Sequence, residues 1–228
     1  MKVQREARTE RDREREVARI LLEARVVAIN PARPFVYASG IISPIYTDLR
    51  LLMGNPQQRG RVVELLLDRI RRSCDVDALD VIAGVATAGI PWGAWVAERL
   101  GKPMAYVREA AKGHGKGQQV EGGVRAGQRA IVVEDLTSTG ASALSSAEAL
   151  RGVGARVDWC FSIFTYGFPE TQETFRRAGI LLESLCGIFA LLEVATSSGR
   201  ISGEEEMAVR EWLAKGPKLA SRVDAAQP

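Results

Sequence analysis

Apolar and polar positions follow two different rhythms along this chain. Over residues 10–29, Val17, Ile20, Leu21, Ala24 and Val27 recur at three- and four-residue steps among charged positions, which predicts an amphipathic helix. Its charges alternate in sign and read most simply as a solvated face. The stretch NPARPFVYASGIISPIYTDLRLLMGNP, residues 30–56, then mixes prolines and turn signals with short β-rich pieces, as a small irregular or hairpin subdomain does. A further helix is expected from Pro56 to about Ser73.

From residue 78 the period switches. ALDVIAGV reads as strand, AGIPWGAWVAERLG as helix and KPMAYVR as strand. A glycine-rich loop follows, then RAIVVED as strand, STGASALSSAEALRGVG as helix and RVDWCFSIFTYG as strand. Strands separated by helices of ten to fifteen residues imply βαβ crossovers, hence an α/β fold with a parallel sheet flanked by helices on both faces. Such sheets take ligands at the carboxyl ends of their strands. After Pro169 a short helix, the apolar strand GILLESL and two more helical stretches are expected, and KGPKLASRVDAAQP reads as a loosely held tail.

Composition narrows the classes. A chain of 228 residues with 46% hydrophobic and 26% charged residues suits one globular domain over 1–228, divided into an N-terminal helix and subdomain at about 10–55, a core at about 56–190 and C-terminal helices with a tail at 191–228. No run of ~18 apolar residues predicts a membrane span, and the charged N-terminus lacks the apolar centre of a signal peptide, so a cytoplasmic location is expected. Cys74, Cys160 and Cys186 are scattered and odd in number, which suggests neither a disulfide framework nor a zinc site. A net charge of +3 without a basic block argues against nucleic acid as a partner.

Three loops carry candidate chemistry. In AIVVEDLTSTGAS, residues 130–142, a strand delivers Glu134 and Asp135, and Thr137, Ser138, Thr139 and Ser142 follow around Gly140. Free N–H groups and the positive end of the helix dipole attract a phosphate there. Two adjacent acids cannot face that phosphate; they suit sugar hydroxyls or a divalent cation. An acid pair beside a phosphate cradle implies a phosphosugar, while an ordinary capped helix with one surface acid is the plain alternative. GVATAGIP, residues 84–91, repeats the strand-to-helix turn with small side chains, which fits a second anion or simply tight packing. In YVREAAKGHGKGQQVEGG, residues 106–123, Arg108, Lys112, His114 and Lys116 lie among five glycines, which suits a cationic flap or a solvated loop. His114 is the one histidine, which excludes a histidine-cluster metal site.

Together, and in this order, the three loops resemble the type I phosphoribosyltransferases. PFVYASGIISPIYTDLR, AGVATAGIPWGAWVAERLGKPMAYVR, AKGHGKGQQVEG and VVEDLTSTGASA resemble their orotate branch, in the form found in many Gram-positive bacteria, over most of residues 15–190. The resemblance implies a phosphoribosyltransferase sheet with an N-terminal hood, and transfer of the phosphoribosyl group of phosphoribosyl diphosphate (PRPP) to orotate, a step of UMP biosynthesis. It implies PRPP binding by Glu134, Asp135, Leu136, Thr137, Ser138, Thr139, Gly140, Ala141 and Ser142, with Ser138 also touching orotate. It gives the pyrophosphate to Ala86, Thr87, Ala88 and Gly89. Arg108, Lys112 and His114 become catalytic flap residues that reach the neighbouring active site of a homodimer. Mg2+ is the implied cofactor, carried by PRPP and not held by the protein alone. The sequence departs from the family at Glu109 and Ala110, where a lysine is usual, and at hood positions Ala38, Ile41 and Ile42, where relatives often carry a cation. A non-catalytic PRPP sensor and a transferase for another nucleobase remain the alternative readings.

Overall fold

The structure is a computed structural model that describes residues 2–36, 40–109, 119–216 and 218–219. Helix α1 (Lys2–Glu23) is followed by β1 (Val27–Ile29), β2 (Phe35–Val36), β3 (Ile41–Ser43) and β4 (Ile45–Thr47), then by a 3-10 helix, Leu49–Gly54. The alternating part runs α2 (Pro56–Ser73), β5 (Val81–Val85), α3 (Gly89–Leu100), β6 (Met104–Val107), β7 (Val120–Glu121), β8 (Arg129–Thr137), α4 (Ala141–Gly152), β9 (Arg156–Thr165), α5 (Pro169–Arg177) and β10 (Leu181–Gly187). The chain closes with α6 (Ile188–Ser197), α7 (Gly203–Lys215) and β11 (Lys218–Leu219). Among the described residues no helix is long and apolar enough to cross a membrane.

The central sheet has the order β10-β9-β8-β5-β6-β7, parallel except for the β6–β7 pair. Apolar strand residues alternate between two cores. Ile82, Ile131, Val133, Phe161 and Ile163 join α1, α2, α3 and α6 on one face, while Val81, Ala83, Ala130, Val132 and Val157 join α4 and α5 on the other. Burial on both faces explains why these strands read as continuous apolar runs. Each fully buried large apolar side chain, such as Phe161 or Leu66, contributes about 1.5–3 kcal/mol.

Four expectations change. The N-terminal helix stops at Glu23: Arg25 takes a left-handed φ of 55°, and Val27 leaves the helical rhythm to pair with Thr47 across the β1–β4 ladder. The charged face of α1 is not simply solvated, because Arg13 meets Asp68 at 2.9 Å, Glu16 takes Arg61 at 2.6 Å and Glu14 accepts the Gly187 N–H at 3.0 Å. Strand β8 runs through to Thr137, since its pairing with β9 continues past Glu134. The tail is not wholly loose: Lys218 and Leu219 pair antiparallel with Ile42 and Ile41. This places a C-terminal strand on the β2–β3 hairpin of the hood.

Candidate active site

The strand order defines where a ligand fits. The chain leaves β5 for β6 on one side and returns to β8 on the other, and α3 and α4 then cross opposite faces of the sheet. A crevice therefore opens at the carboxyl ends of β5 and β8, the topological switch point of an open α/β sheet. Both turns singled out in the sequence flank it.

The turn after β5 serves two purposes. Ala86, Thr87 and Ala88 line the crevice, and the Ala86–Thr87 peptide is cis. Gly84 and Gly89 instead satisfy packing: a Cβ on Gly84 would lie 2.8 Å from the Gly89 carbonyl oxygen, and one on Gly89 would lie 2.6 Å from the Val133 carbonyl oxygen. Tight packing thus accounts for the glycines, and the lining role falls to the residues between them.

Across the crevice stand Glu134 and Asp135, near the end of β8. Glu134 is 7% exposed, and its Oε1 accepts the Asp135 N–H at 3.1 Å. Burial first, and the Asp135 charge second, push the Glu134 carboxyl up to about 9. Asp135 is also raised by burial, despite help from hydrogen bonding and from the charge of Arg50. Burial thus disfavours the charged form of both acids, and the ligand-free pair keeps a proton on Glu134 near neutral pH.

The turn between β8 and α4 supplies the opposite polarity. Gly140 adopts φ 78°, and a side chain there would run into the Phe175 ring. None of the surrounding hydroxyls caps α4, so its first amide groups keep their hydrogen-bonding capacity. Thr137 is 1% exposed, and its Oγ1 is buried without a hydrogen-bond partner. The carbonyls of Thr137 and Ser138 are occupied by the hydroxyls of Thr165, at 3.1 Å, and Thr171, at 2.7 Å. Residues from Thr137 to Ala143, with Glu134 and Leu136, enclose a pocket of about 210 Å³. It shares Glu134, Leu136 and Ser142 with the main cleft of about 320 Å³.

Arg108 follows β6 and lines a small hollow with Ala86 and Ser142, where its Nη1 lies 3.6 Å from Glu121 Oε1. Lys112, His114 and Lys116 lie outside the described residues. Four residues absent from the sequence-based candidates enter the main cleft, Thr47, Asp48, Leu49 and Arg50, and two of them are charged, Asp48 and Arg50. The signal for them was the hood string PFVYASGIISPIYTDLR, which ends on these residues and carries part of the family resemblance. A larger hollow, about 350 Å³ between the ends of α1 and α6, lies away from this chemistry, and its Arg15 and Arg200 are engaged by Glu193 and the Leu22 carbonyl.

Residues 55–166 match the family described as phosphoribosyl transferase domain. Over 197 residues the chain is 44% identical to the orotate phosphoribosyltransferase of Coxiella burnetii, an alignment that covers 86% of this chain and 93% of that protein. The chain belongs to the orotate phosphoribosyltransferase family. A second orotate phosphoribosyltransferase, from Listeria monocytogenes, is 44% identical over 199 residues, 87% of this chain and 94% of that protein. Among solved structures, the orotate phosphoribosyltransferase of Aeropyrum pernix superposes with a TM-score of 0.70 at 34% identity, covering 82% of this chain and 99% of that one. The likeness therefore spans nearly the whole length of these relatives, hood included.

Proposed function

We propose that the chain transfers the phosphoribosyl group of PRPP to orotate, giving orotidine 5′-phosphate and pyrophosphate in UMP biosynthesis. The observation that carries this reading is the buried Glu134–Asp135 pair set against an uncapped, hydroxyl-rich helix start. That juxtaposition suits a phosphosugar: sugar hydroxyls donate to carboxylates, and phosphate oxygens accept from the free amides of the helix start.

In this reading Glu134 and Asp135 hold the ribose hydroxyls, while Leu136, Thr137, Ser138, Thr139, Gly140, Ala141 and Ser142 wrap the 5-phosphate. Ser138 also touches orotate, and Ala86, Thr87 and Ala88 meet the pyrophosphate. The bond from the anomeric carbon to pyrophosphate breaks as the orotate nitrogen bonds to that carbon, and the nitrogen gives up its proton. Arg108, Lys112 and His114 close over the departing pyrophosphate from the neighbouring subunit of a homodimer, each well-placed donor contributing roughly 3–4 kcal/mol to the transition state.

The donor set suits a magnesium ion that arrives on PRPP. Glu134 and Asp135 offer two hard oxygens beside the cleft, and among the described residues no three His, Cys, Asp or Glu side chains converge to form a cage. Once bound with PRPP, magnesium would neutralise charge on the leaving group. We place the enzyme in the cytoplasm, as a single domain.

Mixing protein, orotate, PRPP and magnesium tests the function by ultraviolet absorbance. Loss of the orotate signal, dependent on all four components, is expected. A stable signal from folded protein that still binds PRPP would replace the enzyme with a PRPP sensor.

A further inference from the structure

The main cleft has an unbalanced wall. Its lining includes three carboxylates, Asp48, Glu134 and Asp135, and one cationic side chain, Arg50. The 5-phosphate, the ribose and the pyrophosphate have their partners, in the reading above, at the β8–α4 turn, the acid pair, and the 86–88 turn with the flap cations, so Arg50 has no role yet. It comes from the hood, at the start of the 3-10 helix that follows β4.

Arg50 is firmly aimed although its side chain is 64% exposed. Nε donates to Asp48 Oδ1 at 2.7 Å and Nη2 to Oδ2 at 2.8 Å, and the same carboxylate accepts the Arg50 backbone N–H at 3.1 Å. Asp48 is itself fixed as the cap of that helix. The preceding residue, Thr47, receives the Tyr166 hydroxyl at 3.2 Å, which braces this corner of the hood to the end of β9. A guanidinium carries five N–H groups, and Asp48 takes one from Nε and one from Nη2. The end-on edge, formed by Nη1 and the second N–H of Nη2, remains as a fork of the geometry that a planar carboxylate accepts.

We propose that Arg50, oriented by Asp48, binds the carboxylate of the incoming pyrimidine and so selects a pyrimidine carboxylate over an uncharged pyrimidine. This rests on the transfer reaction proposed above and adds its base-selecting residue. Among the described residues that line the main cleft, this fork is the cationic group, and an anionic base is favoured beside it over the Asp135 side of the wall. It also gives the hood a cation, which Ile42 does not supply.

Steady-state kinetics with orotate and with uracil, plus calorimetry with PRPP and magnesium, test the assignment. Arg50→Ala is expected to raise KM for orotate at least tenfold, leave the Kd for PRPP within twofold, and reduce the orotate-to-uracil ratio of kcat/KM at least tenfold. Arg50→Lys keeps the charge without the fork and should fall between. Asp48→Asn, which loosens the aim, should show the same split to a smaller degree. An unchanged KM for orotate, or a loss of PRPP affinity equal to the loss for orotate, overturns the proposal. If Arg50→Ala does not fold, Arg50→Lys and Arg50→Gln decide by the same ratio. A wild-type protein that consumes no orotate overturns the transfer reaction itself, whereas a wild type that does, paired with an indifferent Arg50→Ala, overturns this inference alone.

Discussion

The indole N–H of Trp212 donates to the carbonyl of Ile42 at 2.8 Å, joining two residues that are 170 positions apart. The Trp212 ring also packs edge-on against Tyr166 and Phe168, with centroids 6.4 and 6.0 Å away. Helix α7 therefore clamps the hood onto the end of β9, beside the cleft. Trp212→Phe keeps much of the aromatic packing and removes the donor. It is expected to cost about 1 kcal/mol in urea unfolding and to raise KM for orotate, because the hood corner carrying Thr47, Asp48 and Arg50 loses its tie. Unchanged unfolding and unchanged KM would mean that the clamp does nothing for the site.

Glu134 should trade stability for binding, in a manner that depends on pH. Its folded-state carboxyl titrates well above the reference of 4.5, near 9, so its contribution is fully present below the reference and is lost as pH rises through the folded value. Glu134→Gln removes that loss. The variant should gain in melting temperature relative to wild type as pH climbs from about 5 to about 9, while its PRPP affinity falls by about tenfold or more. Melting curves across that range, with calorimetry at neutral pH, check both halves. A melting-temperature difference independent of pH would show that burial does not hold the proton.

The same buried pair predicts proton release on binding. Ribose hydroxyls donate to ionised carboxylates, so occupancy should drive off the proton that the empty cleft retains. Calorimetric heats of PRPP binding at pH 7–8, measured in buffers of different ionisation enthalpy, should diverge in the sense of proton release. Equal heats in all buffers would contradict it.

Gly89→Ala should be poorly tolerated, because the added methyl would sit 2.6 Å from the Val133 carbonyl and 3.2 Å from Glu134 Oε1. A cost of about 1–3 kcal/mol is expected, accompanied by weaker PRPP binding as β8 is pushed from α3. Gly101→Ala, which meets nothing within 4 Å but requires φ 63°, separates backbone strain from crowding: it should lose stability and keep PRPP affinity.

Arg108→Ala and Lys112→Ala are each expected to lower turnover by about tenfold or more, with PRPP affinity less affected, since a closing flap acts mainly on the departing charge. Wild-type rates in both variants would remove the flap from the mechanism.

Local order was readable in the residues themselves. Alternation between strand and helix periods depends on neighbours a few positions apart, and so does the chemistry of Glu134 to Ser142, where acids, hydroxyls and a glycine follow one another directly. The sheet, its crossovers and the hydroxyl-rich turn before α4 came from that short-range pattern. Other features depended on partners distant in sequence. Asp48 and Arg50 enter the cleft only because the hood folds over β5 and β8, and the charges of α1 find Arg61, Asp68 and Gly187 only once α2 and the end of β10 lie against it. The same holds for Lys218 and Leu219, whose ladder partners, Ile42 and Ile41, lie near the other end of the chain. A side chain's period shows which face it lies on; what it meets there is decided by long-range packing, because hydrogen bonds and ion pairs require an approach of a few ångströms that only the assembled chain provides.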